Sequence, residues 1–414
     1  MIRIIYITNA KLESGVFDSE GRGFLRAARQ AGARTDMIHF AAPDWRGRPG
    51  YAEKLEAARV ELAPGRLIAV ESPPRWKGLG AYAKAMRKAL AELPRESPDR
   101  TVIHASGHLM SYSALRVRQA AAAPILADLR GALPEETWHY GAASWPIRLA
   151  EYAIARRMER RIVEQADALN CVSVAFREHL IARYGAKPER ICVTPVCVDS
   201  QLFFYDAGQR REERARLGWN DSAVFLYSGR RQRWQLPECL FDNLRWLLQR
   251  LPRARGAILT VEPGAFEQDL RALGEAERKR IEIRSLPHGG MGRALRAADA
   301  GLLFRRRDLV NRVACPTKFY EYLACGLAVC CTEGIGDVSA LARQKGMGWT
   351  LSHPRDREGL ERVAREIEQG GILSDESRRA RSAAALEACS WNAQMPRILD
   401  RYERLLRGGE SDAQ

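Results

Sequence analysis

Short apolar runs of strand length alternate with amphipathic helical stretches along the whole chain, and this alternation constrains the fold more than any other feature. Strand-like runs occur at Ile2–Ile7, Leu67–Val70, Thr101–His104, Ile125–Ala127, Ala168–Val172 and Ile191–Thr194. Helical periodicity fills most of the gaps, at Gly23–Ala31, Ala52–Glu61, Leu79–Glu92 and Ile147–Glu164. Strands joined by crossover helices predict a parallel sheet covered on both faces. The pattern starts again at Ala223–Ser228 and continues through Ala257–Thr260, Ile281–Ser285, Ala300–Phe304, Leu327–Thr332 and Gly348–Leu351. The reading is an α/β chain of two successive doubly wound units, residues 1–200 and 205–390, joined within Pro195–Arg210. The last helical stretch, Trp391–Arg407, has no strand left to cross to and is expected to pack back on the first domain.

A chain of 414 residues suffices for two such domains, each with its own core. No stretch approaches the roughly 18 consecutive apolar residues of a membrane-spanning helix. The opening Met-Ile-Arg-Ile-Ile-Tyr reads as a buried first strand rather than a signal peptide. The nine cysteines are scattered without a C-x-x-C pair. They are expected to be small buried residues in a reducing, cytoplasmic setting rather than metal ligands or a disulfide framework. A net charge of +15 suits anionic partners, whereas arginine used merely as a solvated cation explains it equally well. Basic residues interleave with acids, as in Arg156-Arg157-Met158-Glu159-Arg160-Arg161, so a nucleic-acid partner is not expected.

Ligands of open α/β sheets bind beyond the carboxyl ends of strands, so chemistry is sought in the loops that follow them. The most informative run is Ala314-Cys-Pro316-Thr317-Lys318-Phe-Tyr-Glu321-Tyr-Leu-Ala-Cys-Gly326. Pro316 suits a helix start and Gly326 a helix end. The free N–H groups at that start, Thr317 and Lys318 among them, favour a phosphate. Glu321 lies one turn on along the same face, placed to accept both hydroxyls of a ribose. A Lys318–Glu321 salt bridge on an ordinary helix accounts for the spacing equally well.

Pro316-Thr-Lys-Phe-Tyr-Glu-Tyr-Leu-Ala-Cys-Gly326 resembles the nucleotide-sugar signature of glycosyltransferase family 4, whose fold is GT-B: two Rossmann-like domains with a cleft between them. The resemblance implies that Glu321 holds the donor ribose and that the helix start holds the diphosphate. Ala314 stands where many members carry a further Glu, seven residues before Glu321. Gly229-Arg230, after the strand Val224–Ser228, resembles the family's Gly-Arg on the diphosphate, while Gln235 stands where a Lys is usual. Arg231 or Arg233 is expected to supply that missing charge, with at least one of the three arginines a plain surface cation. Gly334 and Gly336, in Glu333-Gly-Ile-Gly-Asp337, would let backbone approach the donor.

In the first domain Gly15, Gly21 and Gly23 precede the first helix and are candidates for an acceptor or phosphate loop. They lack the G-x-G-x-x-G spacing of a dinucleotide fingerprint. His104 and Asp128 end strands, and Asp128-Leu-Arg130-Gly131, continuing to Glu135-Glu136, resembles a form found in bacterial members of the family. Arg130 occupies the place of a His that reaches toward the donor sugar, so its role would be electrostatic or positional. His104 reads equally as a hydrogen-bonded core residue. Together Arg130, His104 and Asp128 are the candidate catalytic group.

The resemblance implies a retaining, metal-independent transferase without a cofactor, using a nucleotide diphosphate sugar and a glycan or lipid-linked acceptor in cell-surface polysaccharide synthesis. Peripheral contact with an anionic membrane, on the inner face of the cell membrane, is compatible with the basic charge. The alternative, motivated by Ala314 and Gln235, is a protein of the same fold that binds a nucleotide sugar or a partner without turnover.

Overall fold

The computed structural model describes residues 1–408 except 13, 15–16, 42–43, 45–46, 49, 75–77, 95–99 and 345. The chain divides into two compact units, Met1–Cys197 with Trp391–Gln414, and Val198–Ser390.

The first unit is built on a seven-stranded sheet in the order β3-β2-β1-β4-β5-β6-β7. Its strands are β1 (Arg3–Thr8), β2 (Arg34–Ala41), β3 (Leu67–Glu71), β4 (Thr101–Ser106), β5 (Ile125–Leu129), β6 (Ala168–Cys171) and β7 (Ile191–Val193). Every pairing is parallel; β1 is central and buried along its whole length, in register with both β2 and β4. The order reverses at β1, which opens a crevice beside its carboxyl end, where open sheets place their ligands.

Strand β2 does not belong to the expected set. Arg34, Asp36 and His39 interrupt its apolar pattern, yet Asp36 is fully buried. Its carboxylate accepts from Arg3 Nε at 2.7 Å and from the Arg66 backbone N–H at 2.7 Å. A hydrogen-bonded buried pair lets a charged residue occupy a central strand.

The helices of this unit that matter below are α1 (Gly23–Gln30), α2 (His108–Leu115), α3 (Leu133–Tyr140), α4 (Trp145–Gln165) and α5 (Val174–Tyr184). A six-residue π-helical turn, Phe17–Arg22, leads into α1. Residues from Trp391 onward form a terminal helix within this unit, and Trp391 Nε1 donates to the Ser19 carbonyl at 2.7 Å.

The second unit carries a six-stranded parallel sheet in the order β10-β9-β8-β11-β12-β13. Its strands are β8 (Val224–Ser228), β9 (Arg255–Leu259), β10 (Ile281–Arg284), β11 (Ala300–Leu303), β12 (Ala328–Thr332) and β13 (Gly348–Leu351). Three of its helices are α6 (Ala207–Leu217), α7 (Thr317–Ala324) and α8 (Asp375–Cys389); the terminal helix of the first unit, Trp391–Leu406, is α9.

Beneath the sheet Asp299 is buried among arginines. Its carboxylate accepts from Arg210 at 2.6 Å, Arg214 at 3.0 Å and Arg378 at 2.5 Å, and from the Val224 N–H at 2.8 Å. Burial alone would raise its pKa, but the three guanidinium groups outweigh that and bring it down to about 2. Arg381 donates to the carbonyls of Gly326, Gly346 and Ile372. These side chains tie α6 and α8 to the sheet, so part of the basic excess is structural.

Candidate functional site

In the second unit the site grows from the carboxyl ends of β8, β11 and β12. Tyr322 of α7 fixes the end of β8: its hydroxyl accepts from the Ser228 N–H at 2.7 Å. Gly229 follows with a φ of +133°, and a Cβ there would stand 2.7 Å from Lys318 Nζ. The positive φ favours glycine here, and the lysine's movable ammonium end fills the space where a Cβ would stand.

Lys318 lies 4.3 Å over the Tyr227 ring and donates to Gln235 Oε1 at 2.6 Å. Burial, followed by the nearby Arg305 charge, depresses its pKa well below the ordinary lysine value; Glu321 opposes them. Lys318 and Glu321 therefore sense one another, as their spacing on α7 predicts, in a half-buried site rather than on an open helix face. Thr317, also half-buried, is the first residue of α7, after Pro316.

The arginines after β8 are all exposed. Arg230 pairs with Glu262, and Arg231 gives two hydrogen bonds to Asp269, at 2.9 and 3.2 Å. Arg233 is exposed in the short turn Arg233–Gln235. Arg231 is thus paired with Asp269 at the exposed surface in this structure. The cation whose charge acts on Lys318 is Arg305, after β11, which the sequence reading missed. The available signal was the triplet Arg305-Arg306-Arg307 directly behind a strand. Thr332 at the end of β12 fixes the Arg305 backbone, accepting from its N–H at 3.0 Å.

The glycine loop after β12 is shaped by packing. Gly336 has a φ of +40°, and a Cβ there would fall 2.0 Å from the Ala314 carbonyl oxygen. Gly334, at +80°, adjoins Arg307. The loop and the Ala314 backbone are therefore neighbours.

In the first unit Asp128, at the end of β5, organises a buried network. It accepts from Arg130 Nε at 2.6 Å and Asn170 Nδ2 at 2.7 Å, and lies 3.3 Å from His104 Nε2. Arg130 also pairs with Glu20 of the π-helical turn. His104 Nδ1 lies 2.5 Å from the Tyr402 hydroxyl of α9. Burial would raise the Asp128 carboxyl, but Arg130, His104 and Asn170 together hold it well below the usual carboxylate range. Burial pushes Glu20 the other way, upward, against the pull of Arg130.

Arg130, His104 and Asp128 thus form one constellation. They border a cavity of about 170 Å³ together with Phe24, Asn170 and Trp391, many times the ~10–15 Å³ that one water needs. Asn170 and Tyr402 were not foreseen; Tyr402 is 298 residues from His104, beyond any local signal.

Gly21 and Gly23 have packing reasons of their own. Added Cβ atoms would meet the Phe17 ring at 2.6 Å and the Trp391 indole at 2.3 Å. Gly15 lies outside the described residues.

Residues 21–197 match the family described as a glycosyl transferase 4-like domain. The chain is 28% identical to D-inositol 3-phosphate glycosyltransferase 1 of Catenulispora acidiphila, over 84% of each chain. It is 25% identical to the D-inositol 3-phosphate glycosyltransferase of Kribbella flavida, over 67% of this chain and 70% of that one. Among solved structures it resembles the sucrose-phosphate synthase of Thermosynechococcus elongatus, with a TM-score of 0.70 at 18% identity, covering 99% and 100% of the two chains. Anabaena Alr3699/HepE in complex with UDP-glucose gives 0.68 at 15% identity, covering 97% and 100%. These likenesses and the two parallel-sheet units agree on architecture: the chain has the GT-B type of double Rossmann fold and is related to the glycosyltransferases.

Proposed function

We propose that this chain is a retaining glycosyltransferase of family 4 that moves a sugar from a nucleotide diphosphate to a glycan or lipid-linked acceptor in cell-surface polysaccharide synthesis. The observation that carries this reading is Lys318. A half-buried lysine, with its pKa depressed by desolvation and by Arg305, sits at the first turn of a helix beside a glycine and one turn from Glu321. Such a cation is unfavourable alone and becomes favourable when an anion arrives. A diphosphate set against the Lys318 ammonium, Arg305 and the N–H groups at Thr317 and Lys318 would supply that anion, with the ribose on Glu321.

In the proposed reaction the bond from the anomeric carbon to the diphosphate oxygen breaks as the acceptor oxygen attacks the same face. The acceptor proton passes to the departing phosphate oxygen, and the cations take up the leaving charge. Neither a metal nor a cofactor is required by this scheme. The unit containing residues 1–200 is proposed to receive the acceptor. There the ionised Asp128 would hold Arg130 and His104 in place beside the cavity.

Contact with an anionic membrane on the cytoplasmic side is part of the proposal. No helix among the described residues is long and apolar enough to cross a membrane. Helix α4, however, exposes Trp145, Ile147, Leu149 and Ile154, by 42–60% each, and Arg157 and Arg160 follow on its exposed side. Trp145 with Leu149, and Ile147 with Ile154, lie on different sides of the helix; exposed apolar groups followed by cations offer a contact for an anionic surface.

A thermal-shift and transfer screen against UDP-, GDP-, ADP- and dTDP-sugars tests the central claim. One donor should raise the melting midpoint of the wild type, and Glu321→Ala should weaken that donor at least about tenfold, as expected when a charged acceptor of hydrogen bonds is lost. Equal stabilisation of both proteins would remove Glu321 from the donor site. The product linkage, read by NMR, should keep the donor's anomeric configuration. Binding without hydrolysis or transfer would favour the second reading, a nucleotide-sugar-binding protein, for which Ala314 and Gln235 argue.

A further inference from the structure

We propose that Glu135, Glu159 and His179 form a site for one divalent transition-metal ion, zinc by the nature of its ligands, which ties together three helices of the first unit. The residues come from α3, α4 and α5, and each brings one ligand atom to within 4.8 Å of the other two. Glu159 is fully buried and Glu135 is 8% exposed.

The polar atoms left over point to a ligand. Glu159 Oε1 is engaged by His108 Nε2 of α2 at 2.8 Å. Glu135 Oε2 and His179 Nε2 are buried without a hydrogen-bond partner among the described residues, while the Tyr184 hydroxyl neighbours Glu159. A buried carboxylate oxygen left unpaired is costly, and two carboxylates this close in a low-dielectric interior repel. A single dication removes both penalties.

The donor set narrows its identity. Two carboxylate oxygens and an imidazole nitrogen match zinc, which takes such ligands tetrahedrally with bonds of about 2.0–2.2 Å. Ligand atoms within 4.8 Å need to close by up to about 1.5 Å to meet that geometry. A water would complete the fourth position. His108 stands behind Glu159 as an outer-shell partner orients a metal ligand. Phe176 stacks against the His179 ring at 6.3 Å and holds its plane. None of these residues borders the cavity beside Asp128, and the site is independent of the donor reading.

The test uses the full chain, stripped with chelator, dialysed, and titrated with Zn2+ by calorimetry while the melting midpoint is followed. One equivalent of zinc should bind and raise the midpoint. His179→Ala and Glu135→Gln should each lose at least about tenfold in zinc affinity, and His108→Gln about 10–100-fold, the usual cost of an outer-shell partner. Zinc binding by His179→Ala as tight as wild type would overturn the site. So would a wild-type midpoint unchanged by stripping and by added Zn2+, Mn2+ or Co2+; this second readout holds even if the variants fail to fold.

Discussion

Lys318 shows how a residue can be legible in identity and hidden in state. Its place at a helix start, three residues before Glu321, follows from the sequence; its burial under Tyr227 and its exposure to the Arg305 charge do not. A depressed lysine pKa has a testable consequence for donor binding. An arriving diphosphate stabilises the ammonium and raises its pKa, so binding takes up a proton wherever the pH lies between the free and bound values. Affinity should therefore fall as pH rises through that window. Calorimetry in buffers of different ionisation enthalpy should report the uptake in the wild type and its disappearance in Lys318→Met; buffer-independent heats in both would contradict the assignment. Arg231 teaches the converse. Proximity in sequence puts it near Gln235, while its hydrogen-bond partner in the structure is an acid 38 residues away, Asp269.

At the level of elements, helix and strand positions followed from periodicity because packing on a sheet imposes that periodicity directly. Most expected strands agree with those observed to within two residues at each end. Strand β2 escaped because its charges are neutralised by partners elsewhere in the chain, a property no local window contains. The same physics governs how α6 and α8 are held. Asp299→Asn would leave Arg210, Arg214 and Arg378 buried without their counter-charge, which costs on the order of 3–5 kcal/mol. Thermal or urea unfolding of this variant should show a large loss of stability. The pH dependence has a definite sign. With a folded pKa of about 2 against an ordinary 3.8, the Asp299 contribution is complete above the higher value and is lost as pH falls from it toward the lower one. Acid unfolding should therefore be less steep through that range in Asp299→Asn.

For the molecule as a whole, the charge of +15 is divided between internal use and display. Several arginines serve buried carboxylates and carbonyls, which weakens any argument from net charge to a nucleic-acid partner. Those on α4 lie beside exposed apolar residues, and there the charge has a surface role to fill. Flotation with anionic vesicles should carry the wild-type chain, and neutral vesicles should carry far less. Each large apolar side chain that a bilayer buries contributes about 1.5–3 kcal/mol, so Ile147→Asp with Leu149→Asp should reduce binding at least about tenfold. Unchanged flotation would exclude α4 as the contact.

Taken alone, the sequence determined the two doubly wound sheets, the helix that begins at Thr317 and the strand ends that carry Asp128 and Gly229, because each is written in short-range periodicity or turn chemistry. Only the tertiary structure decided which charges meet: Arg3 with Asp36, Arg305 with Lys318, His104 with Tyr402, and Glu135 with Glu159 and His179. Electrostatic partnership depends on distance in space and on the exclusion of water, and neither quantity exists until the chain has folded.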